Sequence, residues 1–309
     1  MKTKLFLLAL IFAFSLEPSA LHAQGSLTPP PGVPTPTMLT LSQVEPRTPI
    51  SSVPFTITQP GSYYLTANVT LNFANAITIS TNGVTLDLNG FTISSTEASP
   101  SGAAILLGGG ISDITILNGH IRGGVTNNAG VYGGSGFGYG IFFFGSTPVN
   151  VRVAGVSVSG CRYYGIYPGY LSVVVESCTV QTVGSEGIIA GSVFRSMAFQ
   201  CGADAIYVYD TASDCYGNSS GNGAGVTAAT ASNCYGYSST GGGLVADTAN
   251  NCCGVSFGSG TGLSANYVAT GCYGQSSSGT GLSAFIASVC HGVSATGTAL
   301  NATHNVNSY

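Results

Sequence analysis

The stretch ASDCYGNSSGNGAGVTAATASNCYG, residues 212–236, opens and closes on nearly the same phrase. The phrase returns as ANNCCG, ATGCYG and ASVCHG, which places its cysteines at Cys215, Cys234, Cys252, Cys272 and Cys290, in steps of 19, 18, 20 and 18 residues. A second phrase trails each cysteine by ten or eleven residues, at Val226, Leu244, Leu263, Leu282 and Leu300. One repeat is therefore about 19 residues long, and a fixed period of this size signals a stacked-repeat architecture. Each repeat holds two or three short apolar touches separated by Gly, Ser and Asn. No 3.6-residue apolar period is sustained, so the repeating unit is not a helix.

Upstream, VTLDLNGFTIS (84–94), ITILNGHIRG (114–123), VRVAGVSVSG (151–160) and VVVESCTVQT (173–182) alternate apolar and polar residues between turn signals. Strands are expected there. A strand period of two inside a repeat near 19 predicts an all-β fold, a parallel β-solenoid of about ten coils of roughly 19–22 residues between Val84 and Leu300. Each coil buries its inward side chains against the next, about 4.8 Å away. The rungs between Val84 and Val151 are 30 and 37 residues apart. The excess, at about 95–110 and 124–140, is expected to leave the coils as loops. The Leu-x-x-Leu-x-Leu signature of a leucine-rich repeat is absent.

Residues 1–23 read as a signal peptide: Lys2 and Lys4 precede an apolar run from Leu5 to Leu16, too short for a membrane span. Residues 24–50 read as a Pro/Thr-rich linker. Residues 51–309 then form the solenoid, with cap strands expected at about 54–79. No later run is long enough to span a membrane, so a secreted or cell-surface product is expected. Charged residues are only 6% of the chain, and beyond residue 23 five arginines face ten acids with no lysine. That balance excludes a nucleic-acid partner and any lysine-dependent chemistry. Stacked cysteines have parallel Cβ vectors about 4.8 Å apart, longer than the roughly 3.8 Å of a disulfide. A ladder of buried thiols is expected.

These phrases, with GSYYLTANVTL (61–71) and GVTLDLNGFTIS (83–94) leading into the coils, resemble the secreted right-handed parallel β-helix proteins of the pectate-lyase-like superfamily. The resemblance implies a single-stranded right-handed β-helix. It points to lyases, hydrolases, epimerases and adhesins alike. Its polygalacturonase-like members use clustered Asp residues as acid and base, and its pectate lyases use an Arg base with Ca²⁺-binding acids. Neither pattern stands here as a continuous motif.

Several residues are nonetheless placed for chemistry. Glu186 and Asp204, eighteen apart, stack on adjacent coils, as a Ca²⁺ ligand pair or as an acid/base pair. Asp210 lies on the next turn of chain. Glu176 and Arg195 share a column as an ion pair, and a catalytic Arg195 is the sharper reading. Arg162 beside Tyr163, Tyr164, Tyr167 and Tyr170 is the best local candidate for gripping an acidic sugar. Tyr216, Tyr235, Cys253, Tyr273 and His291 form a further column. Facing outward it is an aromatic strip for sugar rings; facing inward it is core, which Val158, Val180 and Phe199 in the same column favour. No capping helix follows Leu300, so the C-terminal coil is expected to self-associate. Three roles are expected from these features: non-catalytic carbohydrate binding or surface association, a polysaccharide lyase or hydrolase, and a purely structural envelope protein.

Overall fold

The computed structural model describes residues 46–309. The expected signal peptide, and the linker up to Glu45, lie outside the described residues. The described chain is all-β, a parallel β-solenoid of about 13 turns rather than ten. Twenty-nine strands form one network, and the remaining two make a separate hairpin.

The strands fall into three stacks. The first runs from Thr48–Ile50 and Gly61–Leu65 through Val84–Asp87 to 304–306. The second runs from Val69–Leu71 to His291–Ser294. The third runs from Phe55–Ile57 to 300–302. The strands of 54–79, expected as a cap, are themselves rungs in parallel register with their successors. Thr48–Ile50, in the expected linker, pairs with 63–65. These early rungs account for much of the difference in coil number, because a count begun at Val84 omits them.

The two long steps are resolved differently from the expectation. Val84 pairs with Ile114, and Ile114 with Val151, at the spacing read from sequence. Yet Ser101–Leu107, assigned to a loop, is a rung of the third stack paired with Ile77–Ile79 and Phe137–Phe143. The second excess is an antiparallel hairpin, Gly124–Asn128 against Val131–Ser135.

Side-chain alternation then builds the core. In the third stack one inward column passes through Phe55, Ile77, Ile105, Ile141, Ile166, Ile188, Ile206, Val226, Leu244, Leu263, Leu282 and Leu300. In the first stack the inward column shrinks along the axis, from Leu86 and Ile116 through Val153, Val175 and Val193 to Ala212, Ala231, Ala249, Ala269 and Ala287. Smaller inward residues leave room for the walls to approach in the later coils. In the last coils the approach is limited by backbone. A Cβ on Gly254 would lie 2.2 Å from the Gly262 carbonyl oxygen, and one on Gly274 2.3 Å from that of Gly281.

The corner between the first and second stacks is a column of left-handed residues: Asn89, Asn118, Gly155, Ser177, Arg195, Asp214, Asn233, Asn251, Gly271, Val289 and Asn307 all have φ between 45° and 64°. Asn, Asp and Gly tolerate this conformation; most L residues pay about 1–2 kcal/mol for it. The cysteine follows directly. Cys178, Cys215, Cys234, Cys252, Cys272 and Cys290 are buried, and all nine cysteines of the chain are free thiols. Sγ–H donates to a carbonyl two residues back, as Cys215 does to Ser213. The neighbouring thiols of the ladder, with burial, hold Cys234 up at about 12 and Cys252 and Cys272 at about 11. Thiols so raised are neutral and unreactive at ordinary pH.

Two outcomes test this packing. Gly254→Ala is expected to lower stability by about 1–3 kcal/mol, the usual penalty of overpacking. Val289→Asn, at an exposed left-handed position (φ 54°), is expected to raise it by about 1 kcal/mol; a denaturant titration reads both. In a thiol-labelling time course, the half-buried Cys253 is expected to react first and the others only on unfolding. Labelling of Cys234 or Cys252 in the native state at the rate of Cys253 would contradict the ladder.

Candidate functional site

Outward positions of the third stack form their own column: Leu106, Phe142, Tyr167, Ile189 and Tyr207, continuing as Thr227, Val245, Ser264 and Ser283. Alternation sends them outward because Ile105, Ile141, Ile166, Ile188 and Ile206 point inward from the same strands. The aromatic half of the column gathers more rings from its edges. Tyr139 stacks on Phe142 with centroids 4.2 Å apart. Tyr164 lies 5.8 Å from Phe142, at 17° between ring planes. Tyr167 stands nearly perpendicular to Phe143 and Tyr164. Tyr209 closes the group, 5.0 Å from Tyr170 and 5.2 Å from Tyr207. Under these rings Ile189, though it points outward, is only 7% exposed.

The rings cover one another but not fully. Tyr163 and Tyr209 remain 44% and 45% exposed, and Phe144 77%. An open depression of 440 Å³, lined by Leu106, Tyr139, Phe142 and Phe144, lies at one end of the patch. A second, of 220 Å³, begins at Tyr207 and Tyr209 and reaches Asp247 and Asn266. From Leu106 to Ser264 the face spans seven coil steps, roughly 34 Å.

Burial dominates the electrostatics. It pushes the Tyr167 hydroxyl up to about 12, helped by the neighbouring Tyr209, Tyr164 and Tyr170. Burial also raises Tyr139 and Tyr209, and Tyr164, where the charge of Glu186 adds to it. The hydroxyls therefore stay protonated and can both donate and accept at neutral pH.

The predicted site residues separate into two groups. Tyr163, Tyr164, Tyr167 and Tyr170 belong to the patch, and the Arg162 guanidinium lies 5.7 Å from the Tyr163 ring centroid. Glu186 borders the patch and bonds with the Ser185 hydroxyl. Asp204 stacks on the next coil, joined through Gly187 N–H donating to its carbonyl. Its carboxylate is already used, accepting from the Ala224 N–H at 2.7 Å and the Thr227 hydroxyl at 2.8 Å. Asp210 is exposed at the far end of the strand Ile206–Val208. Among the described residues no group of three or more His, Cys, Asp or Glu is arranged to hold a metal ion.

Arg195 does not join these acids. It donates to Glu176 at 2.8 Å, and Arg152 binds the other Glu176 oxygen at 2.6 Å. The ion pair is as expected, but the shared column is not: Glu176 pairs with Phe194, and Arg195 occupies the left-handed corner. Arg152 was not anticipated: the register partner of Glu176 on the preceding rung is Ala154, and the Arg152 side chain reaches across from two residues earlier.

The other tyrosine column faces outward. Thr179, Met197, Tyr216, Tyr235, Cys253, Tyr273 and His291 are in register, while Val180 stacks with Ala198 and Gly217 instead. Tyr216 and Tyr235 lie face to face, 5.4 Å apart and 10° from parallel. Their faces are spent on each other, which leaves edges and hydroxyls to solvent, so this strip is a weaker sugar platform than the third-stack patch. Sequence reasoning missed Tyr139, Phe142, Phe143, Tyr207 and Tyr209. Their signal was aromatic residues at i and i+2 or i+3 flanking the inward Ile of GYGIFFF and AIYVY.

No family model, curated protein or solved structure matches the chain.

The tyrosine shifts carry a pH consequence. A hydroxyl whose folded pKa is raised favours the native state fully below the unfolded value near 10 and loses that contribution as pH rises through the folded value. Tyr167→Phe is therefore expected to flatten the fall in stability between pH 10 and about 12. An unchanged alkaline limb in thermal melts would contradict the burial of this hydroxyl.

Proposed function

We propose that the protein is a secreted or surface-associated β-helix of the pectate-lyase-like kind that binds polysaccharide without cleaving it. The parallel β-solenoid fits a carbohydrate-related or a structural role. The observation that favours carbohydrate is the outward aromatic patch of the third stack. A chain with 6% charged residues places nine rings that contact one another in pairs on one lateral face, between two open depressions. Aromatic faces suit the C–H faces of sugars while hydroxyls hydrogen-bond their edges. Arg162 supplies a cation for a uronate or similar group. A length of roughly 34 Å accommodates an extended chain rather than a single sugar.

The lyase or hydrolase alternative rests on Glu186, Asp204 and Asp210. It is the weaker reading because Asp204 is engaged in structural hydrogen bonds and Arg195 is held by Glu176. A structural envelope role remains the outcome if no glycan binds.

The test incubates the purified chain with plant, algal and bacterial polysaccharides, with and without Ca²⁺. Co-sedimentation, new reducing ends and unsaturated-product absorbance are followed together. Binding without products is expected. In the double variant Tyr163→Ala/Tyr209→Ala, whose rings are on the exposed rim, binding is expected to weaken at least tenfold, about 1.4 kcal/mol. Products that vanish in Asp204→Asn would replace this reading with the enzymatic one, and binding indifferent to the double variant would remove the patch from it.

A further inference from the structure

We infer that His120 and Arg122 form an oxyanion subsite on the second strand stack, suited to a sulfate or carboxylate borne on a hydroxyl-rich polymer. Both residues lie at the end of the strand Ser112–Arg122, two apart, so they project from the same face while Ile121 between them is buried. Register fixes their neighbours. His120 sits between Thr92 and Ser157, and Arg122 between Ser94 and Ser159. Each side chain is thus bracketed by hydroxyls on the coils before and after it.

These groups share an open depression of 350 Å³, lined by Thr92, His120, Ile121, Arg122, Ser157 and Ser159. Arg122 also borders a second depression of 280 Å³, walled by the base of the hairpin at Gly123, Gly124 and Val125. The guanidinium therefore stands on a ridge between two hollows, open to a ligand from either.

The arrangement of charge is what singles the place out. Arg47 pairs with Asp87, Arg152 and Arg195 share Glu176, and Arg162 lies against Tyr163. Arg122 has no ion pair among the described residues. The next rung of its two columns brings Thr179 and Gln181, not an acid. In a chain with twice as many acids as arginines beyond residue 23, a cation left without a carboxylate and ringed by hydroxyls is a placed feature. A planar guanidinium presents parallel N–H donors that match two oxygens of a carboxylate or sulfate. Thr92, Ser157 and Ser159 can donate to the same anion or accept from hydroxyls beside it. Because Arg122 is exposed, the contact is modest and sensitive to salt.

The subsite is independent of the aromatic patch, which belongs to the third stack, and its test separates the two. Dextran sulfate and uncharged dextran serve as probes for the unmodified chain in low salt. Dextran sulfate is expected to bind at least tenfold more tightly than dextran. Arg122→Gln is expected to weaken dextran sulfate binding at least tenfold. Arg152→Gln, which removes the same charge elsewhere and leaves Glu176 paired with Arg195, is expected to leave it within twofold. Millimolar inorganic sulfate at constant ionic strength is expected to compete, showing that the anion alone is read. In the unmodified chain the His120 ring resonances are expected to move on titration with sulfate, while His291 and His304 stay still. Equal losses in Arg122→Gln and Arg152→Gln would reduce the effect to net charge and overturn the subsite. Full binding by Arg122→Gln, or a His120 resonance unmoved by saturating sulfate, would overturn it as well.

Discussion

In the C-terminal coils the two walls of the solenoid meet backbone to backbone, and most other features follow from that closeness. No Cβ fits between Gly254 and Gly262 or between Gly274 and Gly281. Only small inward residues remain compatible with such a section, which explains the alanine column, the thiol column and the single aliphatic column that ends in Leu244, Leu263, Leu282 and Leu300. Interiors at crystal-like density leave no slack for a larger side chain. The high glycine content is thus a packing requirement, not a mark of flexibility.

The closeness also governs the corners. A coil of about 19 residues must turn sharply, and one left-handed residue per coil does so ahead of the second stack. Asn and Asp serve best because their side chains also bond along the column, as Asn233 does to Asp214 at 3.2 Å. Arg195 is the exception that links corner to surface: its backbone makes the turn while its guanidinium reaches Glu176, which Arg152 holds from the other side. Such an exposed network contributes little stability. It does remove two of the few cations from any role in binding.

Toward the middle of the chain the inward residues are larger, and the outward positions carry the distinctive chemistry. The third stack presents rings and apolar hollows; the second presents Arg122 and His120 among hydroxyls. One face suits the apolar side of a sugar and the other an acidic substituent. Of the acids that suggested catalysis, Asp204 is drawn into hydrogen bonds to Ala224 and Thr227 that hold adjacent coils together, while Glu186 bonds to its neighbour Ser185. Placing rings on a solvent-facing stack leaves apolar surface in water unless they cover one another or an apolar neighbour, and Ile189 beneath them is such a neighbour.

The sequence by itself determined the repeat, the strand period, the alanine, cysteine and leucine columns, and the membership of Tyr163, Tyr164, Tyr167 and Tyr170 in one cluster. These depend on spacing within a regular repeat, and spacing is what a sequence displays. The tertiary structure alone decided register across the long excursions. It also decided that Tyr139 and Phe142 share a face with Tyr207 and Tyr209, and that Arg152 reaches Glu176. It decided that Tyr216 faces outward and that Val180 does not share its column. The reason is physical: alternation gives the relative facing of residues along one strand, but each left-handed corner and each excursion resets which side is inward. Only the packing of one coil on the next restores the phase.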